Sequence, residues 1–268
     1  MEITMLGTGN ALVTECYNTC FVIKDEGKNF MVDAGGGSTV LTQLKRVNID
    51  YCDIHEIFVT HKHVDHIMGI IWMVRMIGQA MNKGTYVGEA NIYGHDEVID
   101  LIETISKALL QKKETAHLGE RIHLIKVEDG ETRVINDREV TFFDIHSTKA
   151  KQFGFLMQMD DGKRLVCCGD EPYNEHEYKY VINADWMLHE AFCLFSEADK
   201  FHPYEKHHST VKDAAELAED MNVKNLLLYH TEDKNIKRRK ELYFEEGSKE
   251  YHGHLYIPDD LETIMLDL

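Results

Sequence analysis

The sequence predicts an α/β protein with two mixed β-layers and helices on the outside. Three observations carry that expectation: short apolar runs punctuated by turns, helical segments that alternate with them, and a strand-rich stretch followed by helices that occurs twice along the 268 residues. A chain of this length can bury one large core or two small ones. With only three prolines and no Pro-rich or Gly/Ser-rich stretch to act as a linker, it reads as one continuous domain over residues 1–268.

The opening strands are expected at residues 3–6, 20–24 and 30–33, the last two joined by the turn Asp25-Glu26-Gly27-Lys28. Gly35-Gly36-Gly37 then introduces a helical pattern over 38–45. A fourth strand, 57–60, ends at His61, and the mostly apolar stretch 67–81 is long enough for a buried helix. A strand at 91–93 precedes a helix over 96–112, in which Ile99, Ile102, Leu109 and Leu110 give helical periodicity. Strands follow at 121–127, 133–135, 140–145, 153–159 and 164–168. Between the last two, Asp160-Asp161-Gly162 is a hairpin turn, because Asp-Gly tolerates the positive φ required. The alternation then resumes with a strand at 186–190, a helix at 211–222 and a strand at 225–229.

Lys and Arg number 29 against 47 Asp and Glu, a formal net charge of −18 with His neutral. That field opposes a polyanion, which disfavours a general nucleic-acid-binding protein and favours a small or short substrate. Bound divalent cations would reverse the sign locally. No apolar run approaches the roughly 20 residues that span a bilayer, and no basic n-region with a long apolar stretch opens the chain. A cytoplasmic enzyme without a membrane partner is expected. The six cysteines, Cys16, Cys20, Cys52, Cys167, Cys168 and Cys193, lack the paired CxxC spacing of a structural zinc site and are expected to be reduced and structural.

The chemistry concentrates in Thr60-His61-Lys62-His63-Val64-Asp65-His66, where four candidate ligands fall within six residues between a strand and a buried helix. On a regular strand His61, His63 and Asp65 would share one face and His66 would point away. A tight turn instead folds all four around a centre. Imidazole with carboxylate and no thiolate suits zinc, with manganese or iron as alternatives. Two such ions about 3.5–4 Å apart need a bridging anion, which a carboxylate with a hydroxide supplies. The competing reading is a solvated His-rich loop, and the buried helix that follows directly argues against it.

This HxHxDH string resembles the signature of the metallo-β-lactamase superfamily, and three later positions at strand ends match its remaining ligands in order: His146, Asp170 and His230. The resemblance implies the αββα sandwich of that fold, two mixed β-sheets packed face to face with helices outside. It also implies two divalent metal ions, one on His61, His63 and His146, the other on Asp65, His66 and His230, with Asp170 bridging. Leu6-Gly7-Thr8-Gly9 and Val32-Asp33-Ala34-Gly35 look like the family's opening strand–loop segments, where Asp33 would organise the loops around the metals. These glycines match neither GxGxxG nor GxxxxGK[ST], so a nucleotide-cradling loop is a weak alternative.

Two further segments, Leu188-His189-Glu190-Ala191-Phe192 and His207-His208-Ser209-Thr210, look like the HEA and HST motifs of ribonuclease Z and its phosphodiesterase relatives. Carried across, His208 works with Glu190 near the scissile phosphate. A metal-bridging hydroxide attacks phosphorus, Asp65 orients it, and His208 supplies the leaving group's proton. Ser209 suits a helix N-cap, at a helix end that favours an anion. Ribonuclease Z usually inserts a basic, Gly-rich arm that clamps tRNA between the segments of His146 and Asp170. Here those residues are 24 positions apart, and two strands with a turn leave no room for it. The expected function is therefore a metal-dependent phosphodiesterase acting on a small or short phosphodiester, with RNA as a further substrate class. The alternatives are a ribonuclease Z-type tRNA 3′ endonuclease helped by a dimer partner, and a carbon ester, lactone or β-lactam hydrolase. Relatives imply a homodimer. The basic run Lys237-Arg238-Arg239-Lys240, a few residues past His230, could touch a substrate phosphate, but with Glu232, Asp233 and Glu241 flanking it the favoured reading is a solvated helix face.

Overall fold

The computed structural model describes residues 1–266, so residues 267 and 268 of the expected domain lie outside the described residues. The described chain divides into two compact units. One comprises Met1–Gly7, Tyr17–Glu128 and the stretch from Asp260; the other comprises Thr8–Cys16 and Asp129–Asp259.

The first unit holds strands β1 (Glu2–Gly7), β2 (Cys20–Asp25), β3 (Lys28–Val32), β4 (Ile54–Phe58), β5 (Ala90–Gly94) and β6 (Ile122–Lys126), with the chain's last strand, Thr263–Met265. They form one seven-stranded sheet in the order last strand, β1, β2, β3, β4, β5, β6. Pairing is antiparallel as far as β3 and parallel from β3 to β6. Its helices are α1 (Thr39–Arg46), α2 (Val64–Lys83), α3 (Asp96–Leu109) and the single turn α4 (Lys112–Thr115). Met31, Ile57 and Ile92 of the strands and Ile67, Ile70, Val74 and Ile77 of α2 meet in one apolar cluster. The alternate positions of these strands carry Phe30, Glu56, Phe58, Asn91 and Tyr93, so the aliphatic residues gather on the one face that meets α2.

The second unit holds β7 (Thr132–Ile135), β8 (Arg138–Asp144), β9 (Phe153–Gln158), β10 (Arg164–Cys167), β11 (Trp186–Glu190), β12 (Asn225–Tyr229) and β13 (His254–Tyr256). Its sheet has the reverse order, β13 to β7, parallel from β13 to β10 and antiparallel from β10 to β7. Because β8 and β10 both run against β9, their carboxyl ends lie at the same edge of the sheet. The helices are α5 (Tyr178–Val181), α6 (Ala198–Phe201), α7 (Val211–Asp220) and α8 (Arg239–Gly247). Val166, Met187, Leu226 and Leu228 pack with Val211, Ala214, Ala215 and Ala218 of α7 in a separate apolar cluster. An α/β class with two mixed sheets is thus what the strand pattern led one to expect. No helix among the described residues is long and apolar enough to cross a membrane, and all six cysteines are free thiols.

Several local expectations change. Strand β4 stops at Phe58 rather than Thr60, and α2 begins at Val64 rather than Ile67, so Asp65 and His66 belong to the helix's first turn. The cap of α7 is Thr210, not Ser209: Thr210 and Asp213 exchange side-chain and backbone hydrogen bonds in a capping box. Of residues 237–240, Lys237, Arg238 and Lys240 are solvent-exposed as expected, but the stretch is only partly helical and one of its residues is buried. Helix α8 starts only at Arg239, which is buried and fans its guanidinium onto Thr8, Thr231, the Pro258 carbonyl and Asp259. The Asp160–Gly162 turn behaves as its sequence demands, with Asp161 and Gly162 at φ 58° and 73°.

Candidate metal centre

In the first unit the parallel strands β3 and β4 end side by side, and their loops carry the chemistry. Asp33, just past β3, is buried and adopts φ 54°. Its Oδ1 accepts the Thr60 N–H (2.8 Å) and its Oδ2 accepts the Thr60 hydroxyl (2.7 Å). The same Oδ2 accepts Nδ1–H of His66 (2.7 Å), which commits that ring to presenting Nε2 as a lone pair. The Thr60 hydroxyl has then spent its proton on Asp33, so at 2.9 Å it accepts from His61 Nδ1 and leaves His61 Nε2 as a second lone pair. One carboxylate therefore sets the tautomers of two imidazoles, the outer-shell arrangement that accompanies metal-binding histidines.

The two lone pairs face further donors. His61 Nε2 lies 2.8 Å from His63 Nδ1, and His66 Nε2 lies 3.4 Å from Asp65 Oδ2. The irregular segment from Val59 to His63, extended at His63, brings His61 and His63 together. The start of α2 then brings Asp65 and His66 round. A loop-to-helix junction rather than a tight turn brings His61, His63, Asp65 and His66 near one another. Asp65 in the first turn of α2 also sits where the helix dipole favours negative charge.

In the second unit the strand ends of β8, β10, β11 and β12 carry His146, Asp170, Glu190 and His230. His146 and His230 have φ of 53° and 56°, backbone conformations that non-glycine residues adopt sparingly and that gather at functional sites. Asp170 and His230 are buried, with His230 Nε2 3.3 Å from Asp170 Oδ2, while Asp170 Oδ1 accepts from Gln152 Nε2 at 2.7 Å. His146 is exposed, its ring tilted against His176 with centroids 4.0 Å apart.

The stretch after β11 pairs with the stretch before α7: Phe192 N–H donates to the Ser209 carbonyl (2.9 Å) and Val211 N–H to the Cys193 carbonyl (3.0 Å). That pairing places His208 over Glu190. Glu190 is wholly buried; its Oε1 accepts the Ser209 N–H and its Oε2 lies 3.6 Å from His208 Nδ1. The His208 ring stacks on Phe192 (4.8 Å, 7°) and lies 5.1 Å from the His230 ring. Atoms of Glu190, His208 and His230 fall within 4.8 Å of one another. A cleft of about 410 Å³ opens beside His208 and Ser209, with Tyr173 and Tyr204 on its walls and Glu216 and Asp220 among its carboxylates.

These donors fit divalent metal ions. Ligand bonds of about 2.0–2.1 Å in tetrahedral geometry put neighbouring ligand atoms roughly 3.3–3.4 Å apart. The Asp65–His66 and Asp170–His230 pairs stand at 3.4 and 3.3 Å. Burying carboxylates beside imidazoles is costly unless a cation compensates them. Gln152, Phe192 and Lys149 also belong to this neighbourhood and were missed. Nothing in their spacing marks them, since each acts through a fold contact.

With this geometry in view, a family model described as Anti-Pycsar protein Apyc1 matches residues 1–249. The chain belongs to the Anti-Pycsar Apyc1 family. This Apyc1-family chain is also similar to ribonuclease Z of Parabacteroides distasonis, 24% identical over 275 aligned positions that cover 85% of this chain and 88% of that protein. Among solved structures it resembles the metallo-β-lactamase fold protein YhfI from Bacillus subtilis, with TM-score 0.79, 17% identity and 98% of each chain covered. It also resembles human tRNase Z, short form, with TM-score 0.75, 21% identity and all of both chains covered. The fold is the metallo-β-lactamase fold, and the ribonuclease Z-like resemblance read from the HxHxDH, HEA and HST strings stands.

Proposed function

We propose that the chain is a metal-dependent phosphodiesterase that hydrolyses a small or short phosphodiester, with both units acting as one hydrolase domain. The proposed ligands are His61, His63, Asp65, His66, His146, Asp170 and His230, holding two divalent ions. Zinc is the first candidate because the donors are imidazole and carboxylate, with manganese and iron next. When bound, the two ions supply a water of lowered pKa and positive charge for the phosphate oxygens.

The observation that carries the phosphodiesterase reading is the pairing of His208 with a wholly buried Glu190 at 3.6 Å. A carboxylate facing Nδ1 orients the ring. Nε2 is then the atom that hands a proton to the leaving alkoxide. Asp65 orients the attacking oxygen. Hydrolysis of a carbon ester, lactone or β-lactam has no need of this pair. The relatives named for ribonuclease Z support cleavage at a phosphodiester and keep RNA among the substrates.

His208→Ala should lower kcat/KM on an aryl phosphodiester by about 10²–10⁴ with bound metal unchanged. Unaltered turnover, or loss of metal together with activity, would remove the assignment. Any anti-Pycsar effect of the chain should disappear with the same substitution. Six free thiols fit a cytoplasmic enzyme. A homodimer is proposed on the resemblance alone, and light scattering on the purified chain tests it.

A further inference from the structure

We infer that Lys149 is a substrate-binding residue, its ammonium holding a phosphate oxygen on the leaving-group side beside His208. The inference rests on the phosphodiesterase reading and adds a residue to it. Lys149 lies three positions past His146, in the loop between β8 and β9, and its Nζ stands 3.4 Å from His208 Nε2. That is the nitrogen from which the proton must leave.

The loop is built to hold this position. Ser147 Oγ donates to Glu171 Oε1 (2.7 Å) and accepts the N–H groups of Lys149 and Ala150 (3.2 Å each). Thr148 N–H donates to Glu171 Oε2 (3.2 Å), and the Thr148 hydroxyl meets His207 Nδ1 at 3.3 Å. Glu171 is itself buried directly after Asp170. The backbone carrying Lys149 is thus tied to the β10 strand end and to the histidine segment that carries His208.

The electrostatics follow. An ammonium carries only hydrogen-bond donors, so it meets Nε2 when that atom is an acceptor. Once His208 carries the proton it is to deliver, two donors converge on one point, and an anionic oxygen is what such a point accepts. In the step itself a hydroxide oxygen bonds to phosphorus as the bond from phosphorus to the leaving oxygen breaks, and the broken bond's electron pair stays on the leaving oxygen. The oxygen takes the proton from His208 Nε2. Lys149 keeps its own protons and offsets charge on the phosphoryl group. In a chain of net charge −18, an ammonium beside the proposed acid also supplies local attraction for an anion.

The experiment compares metal-loaded wild type, Lys149→Met and Lys149→Arg on bis(4-nitrophenyl) phosphate and on a dinucleotide, with titration calorimetry of inorganic phosphate as a binding readout. Lys149→Met should lower kcat/KM about 10- to 100-fold, the worth of a hydrogen bond to a charged group, and weaken phosphate binding in step. The loss should be larger on the dinucleotide, whose alkoxide leaves less readily than nitrophenolate. Lys149→Arg should recover part of both. Melting midpoint and metal content should stay at wild-type values, because the side chain is exposed. Lys149→Met within twofold of an active wild type, with unchanged phosphate affinity, overturns this inference alone. A wild type inactive on both esters overturns the phosphodiesterase reading beneath it.

Discussion

Asp33 shows how one side chain can govern a site it does not enter. Through Thr60 and His66 it fixes which nitrogen of two imidazoles carries the proton and which the lone pair. Asp33→Asn sets an amide donor against His66 Nδ1–H or breaks the Thr60 link. Metal affinity should then fall about 10- to 100-fold, as read by competition with a chromophoric chelator; undiminished affinity would refute the tautomer argument. Glu177 makes a second residue-scale prediction. Burial pushes its carboxyl up to about 8, against the smaller opposing effects of the Asn174 N–H and the Cys168 thiol. A raised carboxyl binds its proton more tightly folded than unfolded. Its stabilising contribution is therefore complete below its ordinary value near 4.5 and is lost as pH climbs through about 8. Glu177→Gln should match wild type near pH 5 and melt higher at pH 9; parallel melting curves would contradict this. The proposed ligands stand out in the sequence because His and Asp gather in one short string and then recur after later strand-like runs. Gln152 and Lys149 were not, because a buried amide and a loop lysine look ordinary until the chain is folded.

At the scale of elements, α2 is the piece that sets the first half of the site. It starts immediately after His63, ends on Gly84 in the left-handed conformation, and packs so closely against the end of β3 that its Gly69 touches backbone. The Gly69 N–H donates to the Gly35 carbonyl (2.8 Å), and a Cβ at Gly69 would collide with the Ala34 carbonyl. Gly69→Ala must push α2 away from the loop carrying Asp33, so it should cost about 1–3 kcal/mol in denaturant unfolding and lower metal affinity as well. Stability and affinity both at wild-type level would show that the contact yields. The apolar run made this helix readable, but its first turn was not, because Asp65 and His66 are polar and interrupt the apolar pattern. The same limit hid α8 and β13. Helix α8 is rich in Glu, and β13 spans three residues with little apolar content, so neither carries a period long enough to detect. Thr210 rather than Ser209 caps α7 because Asp213 stands three residues after Thr210 and closes the box.

At the scale of the whole molecule the question is which phosphodiester can approach. Charge and cleft point the same way. The net charge of −18 repels a polyanion at long range, and the cleft that His208 lines carries Asp213, Glu216 and Asp220 on its walls. The stretch from His146 to Asp170 holds β9, β10 and a turn, with no protruding arm. Much of the local basic charge is already engaged: Lys234 pairs with Asp233, Arg238 with Glu241, and Arg239 is buried. An ordinary nucleic-acid enzyme loses affinity as salt rises, because its lysines and arginines release counterions from the phosphates. Here screening should weaken repulsion rather than attraction. Raising monovalent salt from about 50 to 200 mM, a range over which phosphate-binding proteins lose orders of magnitude, should leave pre-tRNA cleavage unchanged or faster. A small aryl phosphodiester should be turned over with a higher kcat/KM throughout. Steep loss of pre-tRNA cleavage across the same range would mean that a basic surface, supplied by a partner subunit or by Lys237 and its neighbours, engages the RNA. The tRNA endonuclease would then displace the small-substrate enzyme as the better account of the fold.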